Sequence, residues 1–148
     1  APESIDIPGV RRAHVIELRF CAMSQVYQVL WTVSAKTLKS SAREVVSPAF
    51  DLSFSRRVPF KMFIRPSCGH EQRGGGFKQA KGKGTVEVRC LPSVSASEKP
   101  VVTFRIAVGS SGDDPARGPI HHDFSQRLIC DLPGEWDFAQ HVDPADNT

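Results

Sequence analysis

The sequence VTFRIAV at residues 102–108 decides the fold class, because its apolar side chains occur at every second position. In an extended chain alternate residues share one face, so the four apolar side chains of this stretch lie together. A helix would distribute them around its axis instead. Strict alternation is typical of a strand in an antiparallel sheet that has one face buried and one face in water. The sequence therefore predicts such a strand here.

The same period of two recurs elsewhere, between segments rich in Gly, Pro, Ser and Asp that predict turns. Repetition of this kind predicts an all-β fold, an antiparallel β-sandwich of about seven or eight strands with short helical turns. A short polar segment at residues 35–41 predicts one such turn. Residues 121–142 alternate poorly, and a short helix and a last strand both fit there. The other alternating stretches are residues 15–20, 29–33, 50–54, 60–64 and 86–90.

The apolar members of these stretches are the predicted core. Trp31 shares a face with its apolar neighbours and is predicted to be buried rather than to stack on a ligand. Trp136 follows a Pro-Gly turn, so it either caps one end of the sandwich or lies in a pocket of a partner. The predicted core consists of Ile16, Leu18, Val29, Trp31, Val33, Phe50, Leu52, Phe60, Met62, Ile64, Val86, Val88, Phe104, Ile106 and Val108.

The chain of 148 residues is predicted to form one domain at residues 14–148, preceded by an irregular arm at residues 1–13. The chain begins at Ala1 rather than Met, which indicates a removed leader or a trimmed sequence. Its four cysteines are widely spaced without a C-x-x-C pair, which favours a reducing intracellular or organellar compartment. They are Cys21, Cys68, Cys90 and Cys130, and Cys90 is predicted to be a small buried apolar residue.

Charge is distributed very unevenly along the chain. Residues 56–83 hold eight basic side chains and one acid, whereas residues 112–148 hold eight acids and two arginines. The formal net charge of +3 conceals this division. Complementary charged surfaces steer and orient proteins that dock onto one another, so the pattern favours a docking function.

The order of landmarks resembles the MATH domain, the meprin and TRAF homology β-sandwich. The likeness covers about residues 25–142 and depends on order and spacing. Two features depart from the family: the late element lacks its usual Gly, and the chain ends where the family adds a strand, which is missing, trimmed or supplied by a partner. The landmarks are Trp31, Ser47-Pro48-x-Phe50, Pro59 to Pro66 with Phe60-Lys61-Met62, a glycine-rich loop, the strands at 85–91 and 102–108, His122-Asp123-Phe124-Ser125 and Trp136-Asp137-Phe138.

This resemblance implies an eight-stranded sandwich that binds peptides or subunits and catalyses nothing. The segments around Pro59 and His122 are also similar to domains common in photosynthetic protists. That second likeness implies an accessory subunit of a plastid photosynthetic complex, associated with the thylakoid membrane through a partner.

No catalytic, metal or cofactor site is predicted, so we expect the chain not to be an enzyme. The glycine-rich loop fails the P-loop pattern, since Phe77 stands where a Gly is required and Gly84 follows Lys83. Cys68, His70 and the pair at 121–122 do not have a usual zinc spacing. Cys130, His122 and Asp123 are the residue types of a nucleophilic catalytic triad, but they match no hydrolase motif.

The leading functional prediction is therefore a non-catalytic protein–protein interaction module or extrinsic subunit of a larger assembly. Two segments are predicted to contact the partner. The alternative is a polyanion-binding module that uses residues 56–83 on RNA or an anionic membrane surface. The predicted contact residues are Arg65, Arg73, Phe77, Lys78, Lys81 and Lys83 in the basic loop, and Ile5, Ile7, Pro8, Arg11 and Arg12 in the arm.

Overall fold

The computed structural model describes residues 14–67, 75–109 and 115–148. Within them every strand pairing is antiparallel, which confirms the predicted all-β fold. Two strands span only two residues each, which raises the strand number above the expected seven or eight. The ten strands are β1 (Val15–Cys21), β2 (Val26–Thr32), β3 (Val45–Val46), β4 (Phe50–Ser53), β5 (Arg57–Pro66), β6 (Lys83–Cys90), β7 (Val101–Ile106), β8 (Arg117–Asp123), β9 (Ile129–Asp131) and β10 (Trp136–Asp137).

The helices of the described residues are short 3-10 turns at Ala35–Lys39, Ala96–Glu98 and Phe138–His141. The first lies within the predicted turn at residues 35–41. The Ser34 hydroxyl begins it by accepting a hydrogen bond from the Lys36 amide. None of the helices in the described residues is long and apolar enough to cross a bilayer.

A central six-stranded sheet organises the fold. β5 and β6 pair along most of their length, from Phe60 opposite Cys90 to Pro66 opposite Gly84. β3 and β4 pair with the other side of β5, and β9 and β10 pair with the other side of β6. The hairpins β1–β2 and β7–β8 form two further sheets.

The hairpins pack their apolar faces against the inner face of the central sheet, which gives a sandwich-like arrangement. Trp31 and Phe104 contribute from the hairpins, while Phe60 and Val86 contribute from the central sheet. Phe60 and Phe124 meet edge to face with ring centroids 5.0 Å apart, a favourable aromatic geometry. Trp136 belongs to this core at 2% exposure, and the Arg117 guanidinium lies 3.9 Å above its ring.

The structure buries or partly buries the predicted core residues with one exception. Leu18 remains 46% exposed, so its assignment to the core is wrong. Leu18 lies on the same face of β1 as Ile16, as the alternation predicts. It lies beyond the part of the hairpin that packs against the core, so it stays exposed. Cys90 is 1% exposed, which confirms its prediction as a buried residue.

Candidate docking surfaces

The glycine-rich basic loop between β5 and β6 is packed onto the domain by its aromatic residue. Phe77 is fully buried in the core. Its amide donates to the Ala42 carbonyl over 3.0 Å, and the Lys78 amide donates to the Ser40 carbonyl over 2.9 Å. Phe77 is therefore a core residue, and the prediction that it contacts a partner is wrong. Burying an aromatic side chain of this size stabilises by about 1.5–3 kcal/mol, which offsets part of the entropy cost of ordering the residues next to it.

Gly76 makes this packing possible. A Cβ atom at this position would lie 2.4 Å from both the carbonyl carbon and the carbonyl oxygen of Ser41. These are backbone atoms, which cannot move aside as a flexible side chain can. The close approach of two backbones thus accounts for a glycine here. The run of three glycines was the sequence signal that could have indicated this contact.

A turn after Phe77 then displays the lysines of the loop. The Gly82 amide donates to the Phe77 carbonyl over 3.0 Å and closes the turn, and Lys81 adopts a φ of 57° within it. Lys78, Lys81 and Lys83 are exposed. The structure therefore leaves these three predicted contact residues available to a partner.

Three further cations lie on the segment against which the loop packs. Lys36 and Lys39 are three residues apart on a 3-10 helix, so their side chains project from the same side. Arg43 follows Ala42, the residue that accepts the hydrogen bond from Phe77. We call this set the basic patch, and sequence reasoning missed half of it because the two segments lie far apart along the chain. The basic patch consists of Lys36, Lys39, Arg43, Lys78, Lys81 and Lys83.

All six side chains of the basic patch belong to exposed residues. Among the described residues, no carboxylate lies within ion-pairing distance of any of them. Their positive charges are therefore available to attract an anionic partner.

Arg65 lies outside the basic patch, on the outer face of the central sheet. Its guanidinium donates to the Glu87 carboxylate over 2.6 Å and to Glu44 over 3.2 Å. The hydrogen bond to Glu87 is the main reason that the pKa of Arg65 is raised. Arg89 also pairs with Glu87, and both arginines lie over the Phe63 ring. Arg65 therefore helps to hold the sheet, and its charge is largely engaged within the chain.

The remaining predicted contact residues lie outside the described part of the chain. They are Arg73 in the loop and Ile5, Ile7, Pro8, Arg11 and Arg12 in the arm.

The hairpin β1–β2 presents a second surface, which is apolar. Cross-strand partners share a face, so Ile16 with Trp31, Leu18 with Val29, and Phe20 with Tyr27 form one apolar stripe. The first of these pairs packs against the core, but the stripe continues past it. We call the uncovered end, together with the residue at the turn, the hairpin surface. It consists of Leu18, Phe20, Met23 and Tyr27, which are 46%, 49%, 98% and 63% exposed.

The hairpin surface is ordered by its own contacts. The Phe20 and Tyr27 rings lie with centroids 4.7 Å apart. On the opposite face, the Arg19 guanidinium pairs with Glu17 over 2.8 Å. The opposite face is mixed, since Leu30 and Val26 lie there beside these charged residues, whereas the face of the stripe is apolar and extends into solvent. Cys21 ends β1 as an exposed thiol, and hydrogen bonding to Ser24 lowers its pKa.

Three of the side chains considered for metal binding or catalysis, His121, His122 and Asp123, make hydrogen bonds within the domain. His121 Nδ1 lies 2.7 Å from the Thr103 hydroxyl, and His122 Nε2 lies 2.8 Å from the Arg127 carbonyl. Asp123 accepts hydrogen bonds from Ser125, which lower the pKa of its carboxyl group. Cys130 is buried, which raises the pKa of its thiol.

No group of three metal-binding side chains occurs among residues 14–67, 75–109 and 115–148. Cys68 and His70 lie outside these ranges.

Comparisons of the chain with protein-family models, with curated proteins and with solved structures find no match. The likeness to MATH domains therefore stays a prediction, and the residues of the two surfaces carry the functional argument.

Proposed function

We propose that the chain is a non-catalytic protein–protein interaction module, an accessory subunit that docks onto a larger protein assembly. The observation that carries the proposal is the hairpin surface. It continues the apolar stripe of the core beyond the point where the domain covers it. Exposed apolar surface of this kind marks sites where another molecule supplies the missing cover.

The energetic contribution of the hairpin surface favours a protein partner. Fully burying an apolar or aromatic side chain stabilises a complex by about 1.5–3 kcal/mol. Phe20 and Tyr27 are about half exposed, so covering both rings would contribute roughly 2–3 kcal/mol. A contribution of this kind is not weakened by moderate salt, because it does not depend on charge.

The basic patch has a different role in this proposal. Exposed ion pairs contribute only about 0.2–1 kcal/mol each, so the patch adds little to affinity. It accelerates encounter with an acidic surface and fixes the orientation of docking. The apolar hairpin surface then holds the complex together.

A second candidate function is polyanion binding, and a specific observation favours it. Six cations on two adjacent segments have no ion-pairing carboxylate within the described residues. RNA or an anionic membrane surface would satisfy such a patch. RNA would leave the hairpin surface without a function, which is why we place this candidate second.

The compartment and the assembly belong to the proposal as well. The likeness to domains of photosynthetic protists supports a plastid photosynthetic membrane complex as the first assembly to examine. The chain would associate with the membrane there through its protein partner.

Affinity capture with a matched pair of variants tests the proposed function. The tagged chain is used as bait in extracts of its source, beside a double variant with Phe20→Ser and Tyr27→Ser. We expect the wild-type bait to retain a fixed set of proteins at constant stoichiometry, and the hairpin variant to lose them.

The control is the double variant Leu91→Ser and Val101→Ser, which removes two exposed apolar side chains elsewhere, 42% and 54% exposed. This control should capture the same proteins as the wild type. Equal capture by all three baits, or recovery of nucleic acid or lipid alone, would contradict the proposal.

A further inference from the structure

The strand β4 borders a groove that none of the described strands fills. Only β5 pairs with β4 among these strands, and it lies on one side. The groove, about 380 Å³ in volume, lies between β4 and the first strand β1. Residues from both faces of β4 line it, Phe50 from one face and Asp51 from the other, so the groove follows the edge of the strand. The described domain therefore leaves room beside this edge.

The strand pairing fixes which backbone groups of β4 face the groove. The Pro59 carbonyl accepts a hydrogen bond from the Leu91 amide over 3.0 Å, so it points away from β4, and proline has no amide hydrogen. Asp51 lies opposite Pro59, so these two residues exchange no ladder hydrogen bonds. Such pairs alternate with bonded pairs, and the amide and carbonyl groups of Asp51 and Ser53 therefore face the groove. Groups of this kind at a sheet edge can bond to another extended chain.

The outer face of this edge carries one negative and one positive side chain. Asp51 and Ser53 are alternate residues of β4, so they share a face. Arg57 lies directly opposite Ser53 in the pairing with β5, so it lies on the same face. Asp51 and Arg57 are exposed, and neither has an ion-pair partner within the part of the chain that the structure describes. The negative charge thus lies towards the start of β4 and the positive charge near its end.

This arrangement of charge is complementary to itself. When two identical strands pair antiparallel about a twofold axis, the start of each strand lies beside the end of the other. Asp51 of one copy then lies opposite Ser53 of the second copy, and Arg57 of that copy lies one strand farther away. Neighbouring strands are about 4.8 Å apart, so a long arginine side chain can bring its guanidinium to the carboxylate. The twofold axis forms this contact twice.

Charge and hydrogen bonding select one register for such a pair. If Asp51 paired with Asp51 of the second copy, like charges would lie directly opposite each other, which destabilises pairing. Placing the axis at Leu52 instead pairs Asp51 with Ser53. In this register the amide and carbonyl groups of both residues that face the groove bond across the axis. The Leu52 side chains of the two copies meet at the axis, on the side of the sheet that packs against the core.

We propose that β4 pairs with β4 of a second copy of this chain, which gives a symmetric dimer with one sheet continuous across both copies. Two symmetric ion pairs between Asp51 and Arg57 fix its register. The inference goes beyond the proposed function, because it concerns contact between two copies and holds whatever partner covers the hairpin surface. A dimer carries two hairpin surfaces and two basic patches, so it offers an assembly two points of attachment.

The average mass of the full chain in solution tests the proposal. Sedimentation equilibrium is measured from about 1 μM to about 1 mM protein, because a short contact between two strand edges gives a weak dimer. We expect the mass to rise from that of one chain towards twice that value. Asp51→Lys and Arg57→Asp should each weaken association about tenfold or more, because two symmetric attractions become repulsions at once.

Mixing these two variants gives a result that a folding defect cannot mimic. In a mixed dimer the new lysine of one copy faces the new aspartate of the other, and the unchanged Asp51 and Arg57 still face each other. We expect the equimolar mixture to associate within about threefold of the wild type. The matched control is Glu135→Lys, which makes the same charge change beside β10, on the far side of β6. It should leave association within about twofold of the wild type.

Amide exchange of the wild type supplies a readout that needs no variant. The Asp51 and Ser53 amides should exchange more slowly at high protein concentration than at low concentration, because the dimer protects them. The Phe50 and Leu52 amides face β5 in both states, so their exchange should change less.

Four results would overturn the proposal: a chain that stays monomeric over the whole range, equal association of Asp51→Lys and Glu135→Lys, a mixture that associates no better than its components, or exchange of the two amides that is independent of concentration. A dimer that is lost in the variant with Phe20→Ser and Tyr27→Ser but kept in Asp51→Lys would lie at the hairpin surface, and this result would overturn the proposal as well.

Discussion

At the scale of residues, the sequence around a side chain did not always predict whether that side chain is buried. Phe77 is the only aromatic residue in a loop of glycines and lysines, so sequence reasoning assigned it to a partner. The structure places it in the core, where it fastens the loop. Its local sequence contains no alternation that could reveal burial, since the contact is made with residues 40–42. By contrast, Cys90 was predicted correctly because it continues the alternation of its strand.

Replacing Phe77 should therefore affect stability as a core substitution does. We expect Phe77→Ala to lower the free energy of unfolding by about 3–5 kcal/mol, through lost burial and a cavity. Lys78→Ala, at the next position, should change it by less than about 0.5 kcal/mol. Urea denaturation of both variants measures the difference. A Phe77→Ala variant as stable as the wild type would show that the loop is not fastened in this way.

Glu98 should contribute to stability in a manner that depends on pH. Its carboxylate accepts from the Ser95 amide over 2.8 Å and from Arg56 over 2.6 Å, which lowers its pKa below the ordinary value of 4.5. A lowered pKa means that the folded state favours the charged form. The resulting stabilisation is present above pH 4.5 and is lost as the pH falls through the lowered pKa.

We therefore expect Glu98→Gln to lower the thermal midpoint at pH 7 more than it does at about pH 3. Thermal unfolding at both pH values measures the difference in midpoint between the wild type and the variant. Glu135→Gln, at an exposed glutamate with no ion pair in the described part of the chain, serves as the charge-matched control. If the difference in midpoint between the wild type and Glu98→Gln did not change with pH, this role of Glu98 would be contradicted.

At the scale of elements, alternation predicted which segments are strands. It did not predict how much of each strand the opposing layer covers. Residues 60–64 and 86–90 alternate, and they lie in the two central strands β5 and β6. Leu18 alternates equally well and is exposed, because alternation defines which face a side chain takes and not how far the opposing layer extends. The same limit explains why the hairpin surface was not predicted.

The contact between the loop and residues 40–42 can be tested through its glycines. Gly76→Ala forces a Cβ into the Ser41 backbone, so we expect a loss of about 1–3 kcal/mol in the free energy of unfolding. Gly75→Ala is the matched control, because the three atoms nearest to its Cβ all belong to the Gln79 side chain, and the nearest of them is the amide oxygen at its mobile end. Urea denaturation of the two variants should separate them clearly. Equal stabilities would mean that the backbones do not approach so closely.

At the scale of the whole molecule, the sequence shows an uneven distribution of charge along the chain. It predicted only half of the residues that form the basic patch. The three lysines of the loop were identified from their local density. Lys36, Lys39 and Arg43 join them because the loop packs against their segment, a contact between residues that are distant in sequence. Among the described strands β4 pairs only with β5, and this was likewise absent from the sequence prediction, since it follows from strand order.

The central claim is that apolar contact, rather than charge, holds the partner. The most direct test measures the dissociation constant of the captured partner between about 50 and 200 mM salt, for the wild type and for the variant with Phe20→Ser and Tyr27→Ser. A polyanion held by six or more cations would lose about a thousandfold or more in affinity over this range. We predict less than about a tenfold loss for the wild type, and much weaker binding by the hairpin variant at every salt concentration. A thousandfold loss, with the hairpin variant indistinguishable from the wild type, would contradict the account.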